Sequence, residues 1–408
     1  MVHMTAAHAD LFAQLADALD PHPVLHRLRR EDPVHFVASH DFWFVTRYEH
    51  VMQLLHDPDN VTPDGRVAAA YVPPPAGSFL RWMHDHGILT LAPAEHSRLR
   101  KLASPAFGVR AIHRMTAQID DVVSRAAAPI AQHTGAVIDL SAAFVNVIPV
   151  AVISRITGIR PGDDQARFTR LVEAVVAGAL PFADDDRIQT AELSFAELAT
   201  WIRGELIARR ANPADDLLSD LASASVDGVA LTEDDAVLLL CSIITAGVVT
   251  VAGSAAAVLR VALDHPEVMH ALRGDRHFAQ RVLDELLRFA AGAAGPVRFA
   301  TRPFTLGDKH IAKGEMLMLS FGGACRDPAV YQAPDTLQLE RDTGALPIFG
   351  RGPHYCLGAT LARHELASML VGAAGALPPG SRICEDRLEL GHKGVFLRPT
   401  NLPVQLAR

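Results

Sequence analysis

Apolar residues recur at three- and four-residue spacing through 111–128, 164–178, 188–209 and 276–289, the period of helices with one face turned to a core. Two stretches break that rhythm. In 34–46 the residues Val34, Phe36, Phe42, Phe44 and Val45 have β character, and in 297–320 Gly307 and Gly314 punctuate apolar pairs. The pattern predicts a mainly helical body with a small β-rich lobe. Pro73, Pro74 and Pro75 with Gly77 mark a surface loop, and Ala211, Asn212 and Pro213 with Asp215 and Asp216 mark another. Neither reads as an interdomain linker, so residues 1–408 are expected to form a single domain. Residues 1–19 read as a frayed or amphipathic helical lead.

The run 236–259 is 24 residues without a charge, bounded by Asp234, Asp235 and Arg260, which is long enough to cross a bilayer. Ser242, Thr245, Gly247, Thr250, Gly253 and Ser254 interrupt it, no aromatic belt closes its ends, and it stands alone. A buried central helix is the better reading, because a helix apolar all round belongs in a large core or in lipid. The N-terminal stretch has neither the apolar region of a signal peptide nor a membrane anchor.

Composition narrows the class. Apolar residues at 49% and charged residues at 21% allow a sizeable core and argue against disorder. A net charge of −8 with no basic block excludes a nucleic-acid partner, which needs long-range attraction to phosphates. Cys241, Cys325, Cys356 and Cys384 are far apart with no Cys-x-x-Cys pair, so neither a disulfide framework nor a zinc ribbon is indicated, and a cytoplasmic location is expected.

One cysteine stands in an unusual setting: Phe349, Gly350, Arg351, Gly352, Pro353, His354, Tyr355, Cys356, Leu357, Gly358. Gly350 and Gly352 permit a tight turn, and Gly358 lets backbone approach a flat ligand. A helix is expected to begin just past the sulfur, which would stabilise a thiolate and lower the thiol pKa. Phe349, seven positions before Cys356, is placed to shield the sulfur from water. For an isolated cysteine, a buried thiol in a glycine-rich turn would be the better reading.

The whole string, followed by Leu361, Ala362 and Arg363, resembles the heme-binding signature of the cytochrome P-450 family without a gap. The resemblance implies that fold, with a long central helix across a buried heme b, and Cys356 as the iron ligand. Phe349, Gly350 and Gly358 would then surround the cofactor. A Glu-x-x-Arg motif, Glu285 and Arg288, is similar to the family's structural ion pair; at i, i+3 the two share a helix face. The arginine that joins that pair in the family is absent, because its place is taken by Pro334, Asp335, Thr336 and Leu337, and Arg341 is only a weak substitute. His96 and Arg100 at i, i+4, Arg298 and His354 resemble the partners of the heme propionates, although a solvated basic helix would also account for the first two. Asp20 to Pro23, Ser104 to Phe107, Asp215 to Ser219, Arg326 to Pro328 and Leu402 to Val404 extend the agreement from about position 20 to 404.

In the family the central helix carries Ala/Gly-Gly-x-Asp/Glu-Thr, which corresponds here to Ala246, Gly247, Val248, Val249 and Thr250. Ala246, Gly247, Thr250 and Ser254 form a stripe of small residues that would leave room for dioxygen and substrate. Thr250 matches the residue that hydrogen-bonds iron-bound oxygen; a threonine bonding back to its own helix is the plainer reading. The acid before it is replaced by Val249. Protons would then come through water and Thr250 or from the substrate, or the reaction depends less on that relay.

By resemblance, the chain is expected to be a monooxygenase for a hydrophobic natural product, terpenoid or steroid-like molecule, with electrons from NAD(P)H through a ferredoxin and its reductase. A monomer is expected. Ile243, Ala294, Val297, Val395 and Phe396 are the expected pocket residues, and Arg98, Lys101 and Arg351 a basic face for the ferredoxin. Alternatives stay open: oxidative coupling, rearrangement or peroxide-driven oxidation, and a non-turnover heme sensor or scaffold. The 20 histidines, including His84 and His86, also raise a zinc or non-heme iron site, which lacks supporting motifs.

Overall fold

The computed structural model describes residues 11–17, 20–69, 71–91, 93–160, 164–179, 183–226, 229–391 and 398–408. The four periodic stretches form helices Val109–Ala127, Gln165–Ala179, Asp185–Ala211 and Arg276–Phe289. Their apolar faces join one large core that includes Ile112, Phe168, Leu198, Val282 and Leu286.

The uncharged run lies inside helix Glu233–Leu263. Thr232 caps it by accepting from the Asp235 N–H at 3.1 Å, and three acidic residues in the first turn suit the positive end of the helix dipole. By length and composition alone it could cross a membrane. Leu240, Ile244, Ala255 and Leu259 are nevertheless fully buried among the surrounding helices, so it is a core helix.

The β-rich lobe holds a five-stranded sheet in the order Val34–Val37, Phe42–Val45, Met316–Leu319, Val297–Ala300, Val61–Thr62. Only the pairing of Phe42–Val45 with Met316–Leu319 is parallel, Met316 facing Phe42 and Leu319 facing Val45. Along Val297–Ala300, Arg298 and Ala300 are the buried positions, so the period-2 pleat turns Arg298 inward. A second sheet joins Arg382–Ile383, Pro403–Gln405 and Val137–Asp139.

Where it is described, the lead takes the helical one of the two forms expected for it. Leu11–Asp17 is a helix with Leu11 and Leu15 buried, and Phe12 packs edge-on against Phe42 and Phe44 at 5.1 and 5.5 Å between centroids. Aromatic packing on the sheet holds a helix too short to be stable by itself. The other residues of the lead, 1–10 and 18–19, lie outside the described residues.

Candidate active site

The cysteine loop is built by two short turns, Pro347–Phe349 and Gly352–His354, with a left-handed glycine at each bend: Gly350 at φ 70° and Gly352 at φ 64°. A Cβ at Gly350 would also stand 3.3 Å from the His354 carbonyl, a tight approach at a backbone conformation that favours glycine. The loop closes when the Cys356 N–H donates to the Phe349 carbonyl at 2.8 Å. Helix Ala359–Ala376 starts right after Gly358, as the sequence predicts. A Cβ at Gly358 would meet nothing within 4 Å, so its flank is open.

The expected lowering of the Cys356 thiol pKa is not what the structure supports. Burial pushes it up, and the Gly358 N–H, Arg100 and Arg363 offset this only in part. Sequence position showed the helix terminus but not the depth of the sulfur. A deeply set thiol needs a cation to hold it as thiolate.

Beside the loop, His96, Arg100, Arg298 and His354 converge. The rings of His96 and His354 lie 4.2 Å apart between centroids. Burial holds His354 down to about 4, with His96, Arg298 and Arg100 adding repulsion; burial also lowers Arg298 to about 10. Burial, then Arg100, lowers His96, and burial lowers Arg100. Among the described residues, no carboxylate is among the charges acting on these four. The described hydrogen bond of Arg298 reaches only the carbonyl of its neighbour Val297, at 2.9 Å, and His96 Nδ1 is buried without a partner. Two desolvated guanidinium groups beside two imidazoles are costly unless an anion answers them. A group carrying two carboxylates and a metal for the sulfur fits this donor set, as heme does.

On helix Glu233–Leu263, Ala246 and Thr250 are exposed while Ile243, Ile244, Val248 and Val251 are buried, so this stripe borders open space. The Thr250 hydroxyl donates to the Ala246 carbonyl at 2.6 Å, the back-bond common for helical threonines. Gly247 faces elsewhere. Its Cβ would meet Ile153 of helix Val147–Thr157 at 2.9 Å, so its small size serves helix packing rather than the expected stripe. Val249 is half-buried against the main core.

Ile243 and Ala294 are buried, Ala294 in an apolar cluster with Leu25, Phe42, Phe44 and Met318, against which half-buried Val297 packs. Val395 and Phe396 lie outside the described residues. Of the basic face, Lys101 and Arg351 are exposed, but Arg98 is tied to Glu95 at 3.1 Å and Asp235 at 3.4 Å and drops out. His84 bonds the Tyr71 hydroxyl at 3.1 Å and His86 lies 3.7 Å from Asp235, so the two turn to separate partners.

Glu285 and Arg288 form a bidentate pair at 2.6 and 2.9 Å, both buried. Arg341, a weak candidate from the sequence, joins it: its Nε donates to Glu285 Oε1 at 3.2 Å, beside the Gln338 N–H at 2.9 Å. The loop around Ala333, which has φ 45°, carries Arg341 to Glu285, and the Ala333 carbonyl accepts from it.

The family model described as cytochrome P-450 matches residues 21–372. Epothilone C/D epoxidase of Sorangium cellulosum is 32% identical over 87% of this chain and 85% of its own length. Nocardicin C N-oxygenase of Nocardia uniformis subsp. tsuyamanensis is 32% identical over 95% of this chain and 96% of its own. A cytochrome P-450 crystal structure with epothilone D bound superposes with a TM-score of 0.85 at 29% identity, covering 98% of both chains.

Proposed function

This chain belongs to the cytochrome P-450 family, oxidoreductases with heme b as cofactor, and from that premise we propose that it transfers one oxygen atom from dioxygen to a hydrophobic natural product. The observation that carries this reading is the set of two arginines and two imidazoles beside the Cys356 loop, with no carboxylate among the described residues acting on them. His96, Arg100, Arg298 and His354 would take two propionates through hydrogen bonds, and Cys356 would supply the sulfur ligand. Heme, when bound, supplies the oxygen activation, favoured by electron density from the thiolate.

The chain's own residues do the rest. Phe349 and the closed loop keep water from the sulfur. Ala246 and Thr250 border the space on the central helix where substrate would sit. While the Thr250 hydroxyl donates to Ala246, it has lone pairs but no proton to offer on the open side. It passes a proton on only by releasing that bond, and Val249 carries none. Water or a polar group of the substrate would then feed Thr250. Two variants test this in reconstituted turnover. Thr250→Ala is expected to lower product formed per NAD(P)H consumed by about tenfold, less than the roughly hundredfold or more of a lost acid–base group because water still carries protons there. Val249→Asp is expected to raise the same ratio. A ratio unchanged in both variants would remove Thr250 from proton delivery and favour the reading in which the reaction depends less on that relay.

Electrons are proposed to come from NAD(P)H through a ferredoxin and its reductase, docking near exposed Lys101 and Arg351, with the chain acting as a cytoplasmic monomer and single domain. The named activities of the relatives, epoxidation and N-oxygenation, support oxygen transfer to a natural product. Turnover of apolar candidates under isotopically labelled dioxygen should place one labelled atom in product. Unlabelled product, or electron consumption with no product from any donor, would sink the monooxygenase reading and favour coupling chemistry or a non-turnover role.

A further inference from the structure

Arg363 belongs to the matched motif, yet the motif says nothing of its task. It lies seven positions past Cys356, in the first turns of helix Ala359–Ala376. Its Nε and Nη2 donate to the two carboxylate oxygens of Asp284 at 2.9 and 3.1 Å. Asp284 precedes Glu285 on helix Arg276–Phe289, so its position is fixed by the same helix that carries the buried ion pair. The guanidinium carbon of Arg363 stands 4.1 Å from the centroid of the Phe349 ring, a stacked cation–π contact. Phe349 in turn holds the Cys356 N–H with its carbonyl. Asp284 therefore orients the guanidinium, the guanidinium covers Phe349, and Phe349 closes the cysteine loop. The Arg363 charge also acts on Cys356, as does that of Arg100.

Resting on the reading of Cys356 as the axial ligand, we infer that Arg363, held by Asp284, is a positioning residue for the thiolate that raises the reduction potential of the heme. One-electron reduction adds a negative charge at the iron–sulfur centre. A fixed positive charge nearby favours the reduced form, and a carboxylate paired to that charge takes part of the benefit away. The two partners therefore act on the potential with opposite signs. Either substitution would loosen a purely mechanical clamp on Phe349, so a mechanical role predicts the same sign for both.

The test is an anaerobic spectroscopic redox titration of the heme-loaded full chain as wild type, Arg363→Gln, Arg363→Lys and Asp284→Asn. Arg363 and Asp284 are 35% and 33% exposed, so the effect is discounted for solvent screening to about fivefold in the reduction equilibrium constant. Arg363→Gln should lower that constant and Asp284→Asn should raise it, with Arg363→Lys between wild type and Arg363→Gln. Shifts of the same sign, or none, overturn the inference. Should Arg363→Gln fail to retain heme, Asp284→Asn decides alone: a raised constant supports the inference, and a lowered or unchanged one overturns it. The reduced carbon-monoxide spectrum of each holoprotein separates the two levels. Wrong shifts with the thiolate band present sink the role of Arg363 alone, whereas a wild-type protein without the band sinks the Cys356 reading and this inference with it.

Discussion

Glu285→Ala is expected to destabilise the protein by about 3–5 kcal/mol, the cost of removing one partner from a buried ion pair. Glu285 and Arg288 are 1% and 0% exposed, so water cannot take over the lost contacts. The carboxylate collects four donors: Arg288 Nε and Nη2, Arg341 Nε and the Gln338 N–H. Its loss strands two guanidinium groups and an amide together. The remaining bonds of Arg288 Nη1, to the Cys325 and Pro334 carbonyls at 2.8 and 2.9 Å, tie the helix to the segment after the sheet but neutralise nothing. Against a total stability of about 5–15 kcal/mol, such a loss removes a large part of the margin and should weaken heme retention. Arg341→Ala, which leaves the inner pair intact, should cost about 2 kcal/mol, the scale of a hydrogen bond to a charged group. Denaturant midpoints and heme retention on a desalting column measure both. Equal and small losses in the two variants would show that Glu285 is not the centre of this network.

Features set by local sequence were legible. The helices were readable because their apolar period is regular, and the cysteine loop because its glycines, histidine and cysteine are contiguous. Arg341 was not, since its approach to Glu285 depends on a loop path through Ala333 that no period encodes. The direction of Gly247 was equally hidden: a helix apolar on every side gives no sign of which face meets a neighbour and which meets open space. The lead helix Leu11–Asp17 is too short for a strong periodic signal and owes its place to Phe42 and Phe44, distant in sequence. The Cys356 thiol was misjudged because a helix terminus can be read from order along the chain, whereas desolvation is a property of the fold. His96, Arg100, Arg298 and His354 were named only through resemblance to a family; their convergence, and the lack of a carboxylate among the described charges acting on them, are tertiary facts.

Cys356 carries the largest expected functional effect, because it is the side chain proposed to donate a sulfur to iron. Helix start, glycine bends and the Phe349 carbonyl all fix the backbone at that residue, so Cys356→Ala removes the ligand and little of the fold. The four proposed propionate partners remain in that variant and should still retain some heme, now without a thiolate. Oxygen-transfer turnover should fall to background, since the oxygen activation that heme would supply relies on electron density from the sulfur. The direct measurement is the difference spectrum of the reduced protein with and without carbon monoxide. The account predicts the red-shifted Soret band of a thiolate-ligated heme in the wild type and its loss in Cys356→Ala; a wild type without that band, or a Cys356→Ala protein that keeps it, would contradict it.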